Sequence, residues 1–83
     1  MAELNTTLDR VLETPVQNLE AMVVNAKTIE DFDNVVGMIQ PVLDDVEMCL
    51  SWVANNNDRQ RLTKLRFTTS NLIKYCFDAM DAV

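Results

Sequence analysis

The chain has no histidine, which removes the commonest general base, the commonest zinc ligand and every Ser-His or Cys-His nucleophile arrangement. Glycine occurs once and proline twice, so few residues break regular structure and few loops are expected. The two cysteines, Cys49 and Cys76, do not form a CxxC redox or metal motif. They read as buried free thiols, because cysteine packs as a small hydrophobe. Long hydrophobic runs are missing too. The opening Met1-Ala2-Glu3-Leu4-Asn5 has no basic segment followed by an apolar stretch, and nothing approaches the roughly 20 apolar residues needed to cross a bilayer. A cytoplasmic protein without a membrane partner is expected.

What is present is the composition of one packed domain over residues 1–83. Hydrophobic residues at 48% and charged residues at 24% exclude a disordered tail. So short a chain buries a small share of its surface, which leaves a thin stability margin that self-association would widen. The net charge of −6 is unevenly placed. Residues 1–58 carry eleven Asp/Glu against Arg10 and Lys27, a net of −9, and residues 59–83 carry five Lys/Arg against Asp78 and Asp81, a net of +3. An acidic surface of this kind disfavours nucleic acid and anionic lipid and suits a basic partner surface.

Apolar spacing predicts an all-α fold, an antiparallel up-down-up three-helix bundle. Leu4, Leu8, Val11, Leu12, Leu19, Met22, Val23 and Ala26 form one helical stripe across Pro15. Two readings follow: a single helix over about 3–26, or a break in which Thr14 caps a second helix with Pro15 in its first turn and Gln17 closing a capping box. Thr28 starts the next helix, with Glu30 and Asp31 where the macrodipole favours negative charge. Its stripe is Ile29, Phe32, Val35, Val36, Ile39, Val42, Leu43, Val46, Leu50 and Val53. That predicts a helix over 29 to about 54, bent near Pro41. Asn55-Asn56-Asn57 suits a connection and Asp58 an N-cap. The last stripe is Leu62, Leu65, Thr69, Leu72, Ile73, Cys76, Ala79, Met80 and Val83. Pairing the last two helices about Asn56 sets Leu50 near Leu62, Ile39 near Ile73 and Phe32 near Met80. It also holds Cys49 roughly 20 Å from Cys76 at 1.5 Å per residue, too far for a disulfide.

Glu30/Asp33 and Asp44/Glu47 are each spaced i, i+3, and on one helix all four fall on the side opposite the apolar face. Such paired acidic motifs resemble those of the all-α MazG-type nucleotide pyrophosphohydrolases, and the resemblance implies magnesium coordination and nucleotide hydrolysis. This chain departs from that pattern. Both pairs lie on the same helix, Asp33 and Asp44 are about 16 Å apart along it, and no phosphate-gripping Lys/Arg set stands beside them. A solvated acidic face is the simpler reading, with no metal, no cofactor and no catalytic residue.

The basic run Arg59, Arg61, Lys64 and Arg66 opens the last helix, where cations oppose the macrodipole. Ion pairing of this run with Asp44, Asp45 and Glu47, brought near Arg66 by the antiparallel register, is the expected reason. The four side chains split to either side of the core stripe, so nucleic-acid contact is the lesser expectation.

Met38, Pro41, Met48 and Trp52 miss the core stripe of the middle helix, and Phe67 that of the last. Large adaptable apolar side chains in such a line mark an interface. For Trp52 the competing expectation is that it covers the end of the bundle.

Together these features imply a non-enzymatic helical interaction module. Its acidic set (Glu30, Asp33, Asp44, Asp45, Glu47) would engage a basic protein, and Met38, Met48 and Trp52 would form a homodimer contact. An inhibitor or modulator of a larger nucleic-acid-binding protein, of the kind a phage encodes against host defence, fits the size and charge. The alternatives are a DNA-binding transcription or biofilm regulator acting through the basic helix, and the magnesium-dependent hydrolase.

Overall fold

Proline decides how the first third of the chain is built. The ring of Pro15 pushes Thr14 out of the α region, and the first helix, α1 (Ala2–Leu12), stops before it. The computed structural model describes residues 2–82, with side chains from Thr7 to Ala82; the side chains of Leu4 and Val83, expected in the apolar stripes, lie outside that range. Pro15 sits at φ −78° and ψ 81°, and the Val16 N–H donates to the Thr14 carbonyl at 2.9 Å, an inverse γ-turn. The chain restarts as α2 (Val16–Asn25), with the Pro15 carbonyl accepting from the Asn18 and Leu19 amides at 2.9 and 3.2 Å. The broken reading of this segment is therefore the one that forms, without its capping box. Pro15 occupies the N-cap position, where no side chain caps the helix. The expected three helices become four, and the described residues contain no strand.

The third helix, α3 (Ile29–Trp52), begins as its sequence predicts. Thr28 Oγ1 accepts from the Asp31 N–H at 3.1 Å, and Asp31 Oδ2 accepts from the N–H groups of Thr28 and Lys27 at 3.2 and 3.1 Å. This reciprocal box satisfies amides that the helix cannot. The helix continues through Gly37 and Pro41, although Pro41 has no N–H to offer the Gly37 carbonyl one turn earlier. It ends at Trp52, two residues short of the expected boundary, where Val53 turns extended at φ −71° and ψ 130°.

The start of α4 (Asn56–Ala82) corrects the assignment of Asp58 as its cap. Asn55 Oδ1 accepts from the Asp58 N–H at 3.1 Å, and the Asn55 carbonyl accepts from the Arg59 N–H at 2.9 Å. Asn55 is thus the N-cap, while Asp58 lies in the first turn, where the macrodipole favours a carboxylate. Asn56 and Asn57 are helical, so residues 53–55 alone connect the two long helices.

Two clusters form the core. Leu19, Val23, Phe32, Val35, Ile39, Ile73 and Cys76 make the first, with Met22, Val36, Leu43 and Met80 packed against it. Val11, Val46, Cys49, Val53, Leu62 and Leu65 make the second, with Leu8, Leu12, Leu50 and Trp52 against it. The N-terminal half of α3 thus shares a cluster with the C-terminal half of α4, and the other halves share the second, so the two helices run antiparallel. The first cluster holds Ile39 and Ile73 together, and Phe32 with Met80, as the register expected. Ile29, expected in the core stripe, is instead half exposed at 51%.

Thr69 is buried, and its hydroxyl donates to the Leu65 carbonyl at 2.9 Å, which removes the cost of an unpaired polar group. Cys49 and Cys76 are buried free thiols in different clusters.

Candidate interaction surface

α3 contains six carboxylates and no Lys or Arg, while α4 from Arg59 to Phe77 contains five cations and no carboxylate. The two long helices therefore carry opposite charge side by side. Glu30, Asp33, Asp44 and Glu47 are exposed, and Asp44 Oδ1 accepts from Gln40 Nε2 at 3.2 Å on the same helix. Asp45 points the other way, half-buried, and pairs with Arg10 of α1 at 3.4 Å. It belongs to the contact between α1 and α3, not to the outward acidic face. Among the described residues no three Asp, Glu or Cys side chains converge on a point able to hold a metal ion, so the paired acidic motifs form no closed donor set.

The expected pairing of the basic run with α3 carboxylates is overturned. Arg10 to Asp45 is the one ion pair among the described residues, and Arg61, Lys64 and Arg66 are exposed without such a partner. Arg59 has a different task. Its Nη1 donates to the carbonyls of Leu50 and Val53 at 2.9 and 2.7 Å, so a cation that opposes the dipole of α4 sits on the negative end of α3. Arg61 and Lys64 line an open groove with Leu12, Val16 and Glu20, where α4 passes the Pro15 break.

Of the apolar stripe, Met38 and Met48 are exposed at 58% and 41%, and Phe67 at 69%. Pro41 is also exposed. Trp52 is not part of that surface. It is half-buried against the second cluster, as the end-covering expectation had it, and its Nε1 is buried without an acceptor among the described residues. Sequence reasoning missed Val24, Tyr75 and Phe77, which are also exposed. Helical spacing held the signal for each: Val24 follows the buried Val23, and Tyr75 and Phe77 flank the buried Cys76. Neighbours in sequence diverge by 100° on a helix.

Burial raises both thiols above their usual value; for Cys49 the Asp45 charge raises it further and Arg10 lowers it. Both stay protonated at neutral pH. No described helix is long and apolar enough to cross a membrane. In comparison with known proteins, no family profile, no curated protein and no solved structure matches the chain.

Proposed function

We propose that this protein is a non-enzymatic interaction module whose acidic α3 engages a basic surface on a larger protein and thereby inhibits or modulates it. The observation that carries this reading is the row of exposed carboxylates Glu30, Asp33, Asp44 and Glu47 on a helix with no cation of its own. A surface of one sign speeds encounter with an oppositely charged partner and repels nucleic acid and anionic lipid. In architecture, α1 and α2 act as one broken arm of an up-down-up bundle against α3 and α4. The long helices are thereby held side by side as a charged scaffold. A cytoplasmic setting and a phage-type inhibitory role agree with the size and acidity of the chain.

The test is capture of the partner from the source cell, followed by binding measurements with the purified pair. Affinity should fall steeply as salt rises, and Asp44→Lys with Glu47→Lys should abolish binding while the helical circular dichroism signal is kept. Binding that ignores both salt and these substitutions overturns the reading.

A second reading, regulation through DNA contact by α4, is favoured by one observation: Arg61, Lys64 and Arg66 are not consumed by internal ion pairs. Duplex DNA binding at low salt that is lost with Lys64→Ala and Arg66→Ala would establish it.

A further inference from the structure

The side of the α3–α4 pair that faces away from α1 and α2 has a charge pattern that selects a partner. Asn34, Val35, Met38 and Asp45 border α1 and α2, where the Arg10 pair and an open groove lie. Advancing at 100° per residue, the opposite edge of α3 carries a line of Ile29, Val36 and Leu43, while Leu50 falls at the same angle as the buried Phe32 and packs on the second cluster. Asp33, Gln40, Asp44 and Glu47 flank that line. On α4 the edge bordering α1 and α2 carries Arg61, Lys64 and Thr68, so Arg66, Ser70, Lys74 and Phe77 lie on the far side. This outer face thus has a narrow apolar centre, where Val36 and Leu43 show the sides not packed on the first cluster, with an acidic margin on α3 and a basic margin on α4. Ile29 and Phe77 stand half exposed on it.

We infer that the occupant of this face is a second copy of the same chain, packed face to face about a two-fold axis parallel to the helices. That axis lays α3 of each copy antiparallel on α4 of the other, so both acidic margins meet basic margins in one symmetric contact. The register sets Arg66 level with the turn that holds Asp44 and Glu47, and Phe77 level with Val36. Lys74 falls between Asp33 and Asp44. A two-fold axis across the helices instead sets α3 on α3 and crowds like charges together, which selects against it. The apolar line supplies the attraction and the margins supply the orientation.

Size supports the same occupant. The molecule measures 43 × 19 × 18 Å, so one long side offers roughly 800 Å², the share that each partner gives to a standard interface. The contact moves self-association away from the Met38, Met48 and Trp52 stripe. It rests on the reading of the chain as an interaction module and names one partner of that module. Pairing would cover Asp44 and Glu47, so a foreign basic protein would compete with it.

Charge exchange tests the arrangement. By light scattering after size exclusion, the unmutated protein at micromolar concentration should have about twice the 9.5 kDa chain mass. Asp44→Lys with Glu47→Lys should be monomeric, as should Arg66→Glu with Lys74→Glu, each with unchanged circular dichroism. An equimolar mixture of the two variants should recover the dimer, because each then offers the margin that the other lacks. As a second measurement, mild oxidation should join Gln40→Cys of one chain to Ser70→Cys of another and leave Gln40→Cys alone unjoined. A monomeric parent, a dimer that survives both reversals, a mixture that stays monomeric, or a cross-link between two Gln40→Cys chains each overturns the arrangement. Arg66→Glu with Lys74→Glu should still bind a foreign basic partner, so loss of pairing and loss of the acidic-face reading are separable.

Discussion

The guanidinium of Arg59 donates to the carbonyl oxygen of Val53 at 2.7 Å, so the first turn of α4 closes the C-terminus of the helix before it. A charged donor on helix-terminal carbonyls contributes through both the hydrogen bond and the dipole. Arg59→Ala should lower stability by roughly 1–2 kcal/mol. In a domain this small that is a fall in Tm of about 5–10 °C, read by thermal circular dichroism. Arg61→Ala, two residues further on and free of such contacts, should leave Tm nearly unchanged. Equal losses for the two would remove the capping role.

The Thr28 box makes a prediction in pH. Backbone bonds from Lys27, then Thr28, hold the Asp31 carboxyl below its ordinary value of 3.8. A pKa lower in the folded than in the unfolded chain gives stability that is complete above the ordinary value and disappears as pH falls through the lowered one. Asp31→Asn should therefore flatten the loss of stability on acidification below about pH 4. Thr28→Ala should cost about 1 kcal/mol at neutral pH. Denaturant titrations at a series of pH values give both slopes, and parallel acid arms for parent and Asp31→Asn would refute the assignment.

Burial separates two classes of apolar side chain that look alike in the sequence. Ile39 and Leu62 are fully buried, and truncating either to Ala should cost roughly 2–5 kcal/mol through lost transfer energy and the cavity left behind. Met38 and Phe67 are exposed, so Met38→Ala and Phe67→Ser should change folding stability by no more than about 0.5 kcal/mol. Trp52→Ala should behave like a core variant because the ring packs on the second cluster. A stability change near zero for Trp52→Ala would contradict that placement.

The buried thiols give a probe of opening. Cys49 and Cys76 are desolvated and protonated, and the thiolate is the reactive form. An aromatic disulfide reagent should modify both at the rate at which the chain opens, and quickly in denaturant. Rapid labelling of the native protein at neutral pH would show that one of them is reachable from solvent.

The features legible in the sequence were those made by residues within a turn or two of each other. The Thr28 cap, the three apolar stripes and the burial of Ile39, Leu62 and Cys76 follow from helical spacing and local capping, which act before any tertiary contact exists. The return bonds that the Thr28 and Lys27 amides donate to Asp31 show only in the structure. The break at Pro15 was one of two open readings, because the apolar stripe kept its phase while the proline opposed the helix. Tertiary structure decided the rest. Asp45 lies beside Arg10 because α1 passes that edge of α3, Arg59 reaches the Leu50 and Val53 carbonyls because the 53–55 connection folds back tightly, and Trp52 turns inward onto the second cluster. Which charges remain free for a partner depends on where each neighbouring helix comes to rest. That position is set by the packing of both clusters at once, and no single stripe contains it.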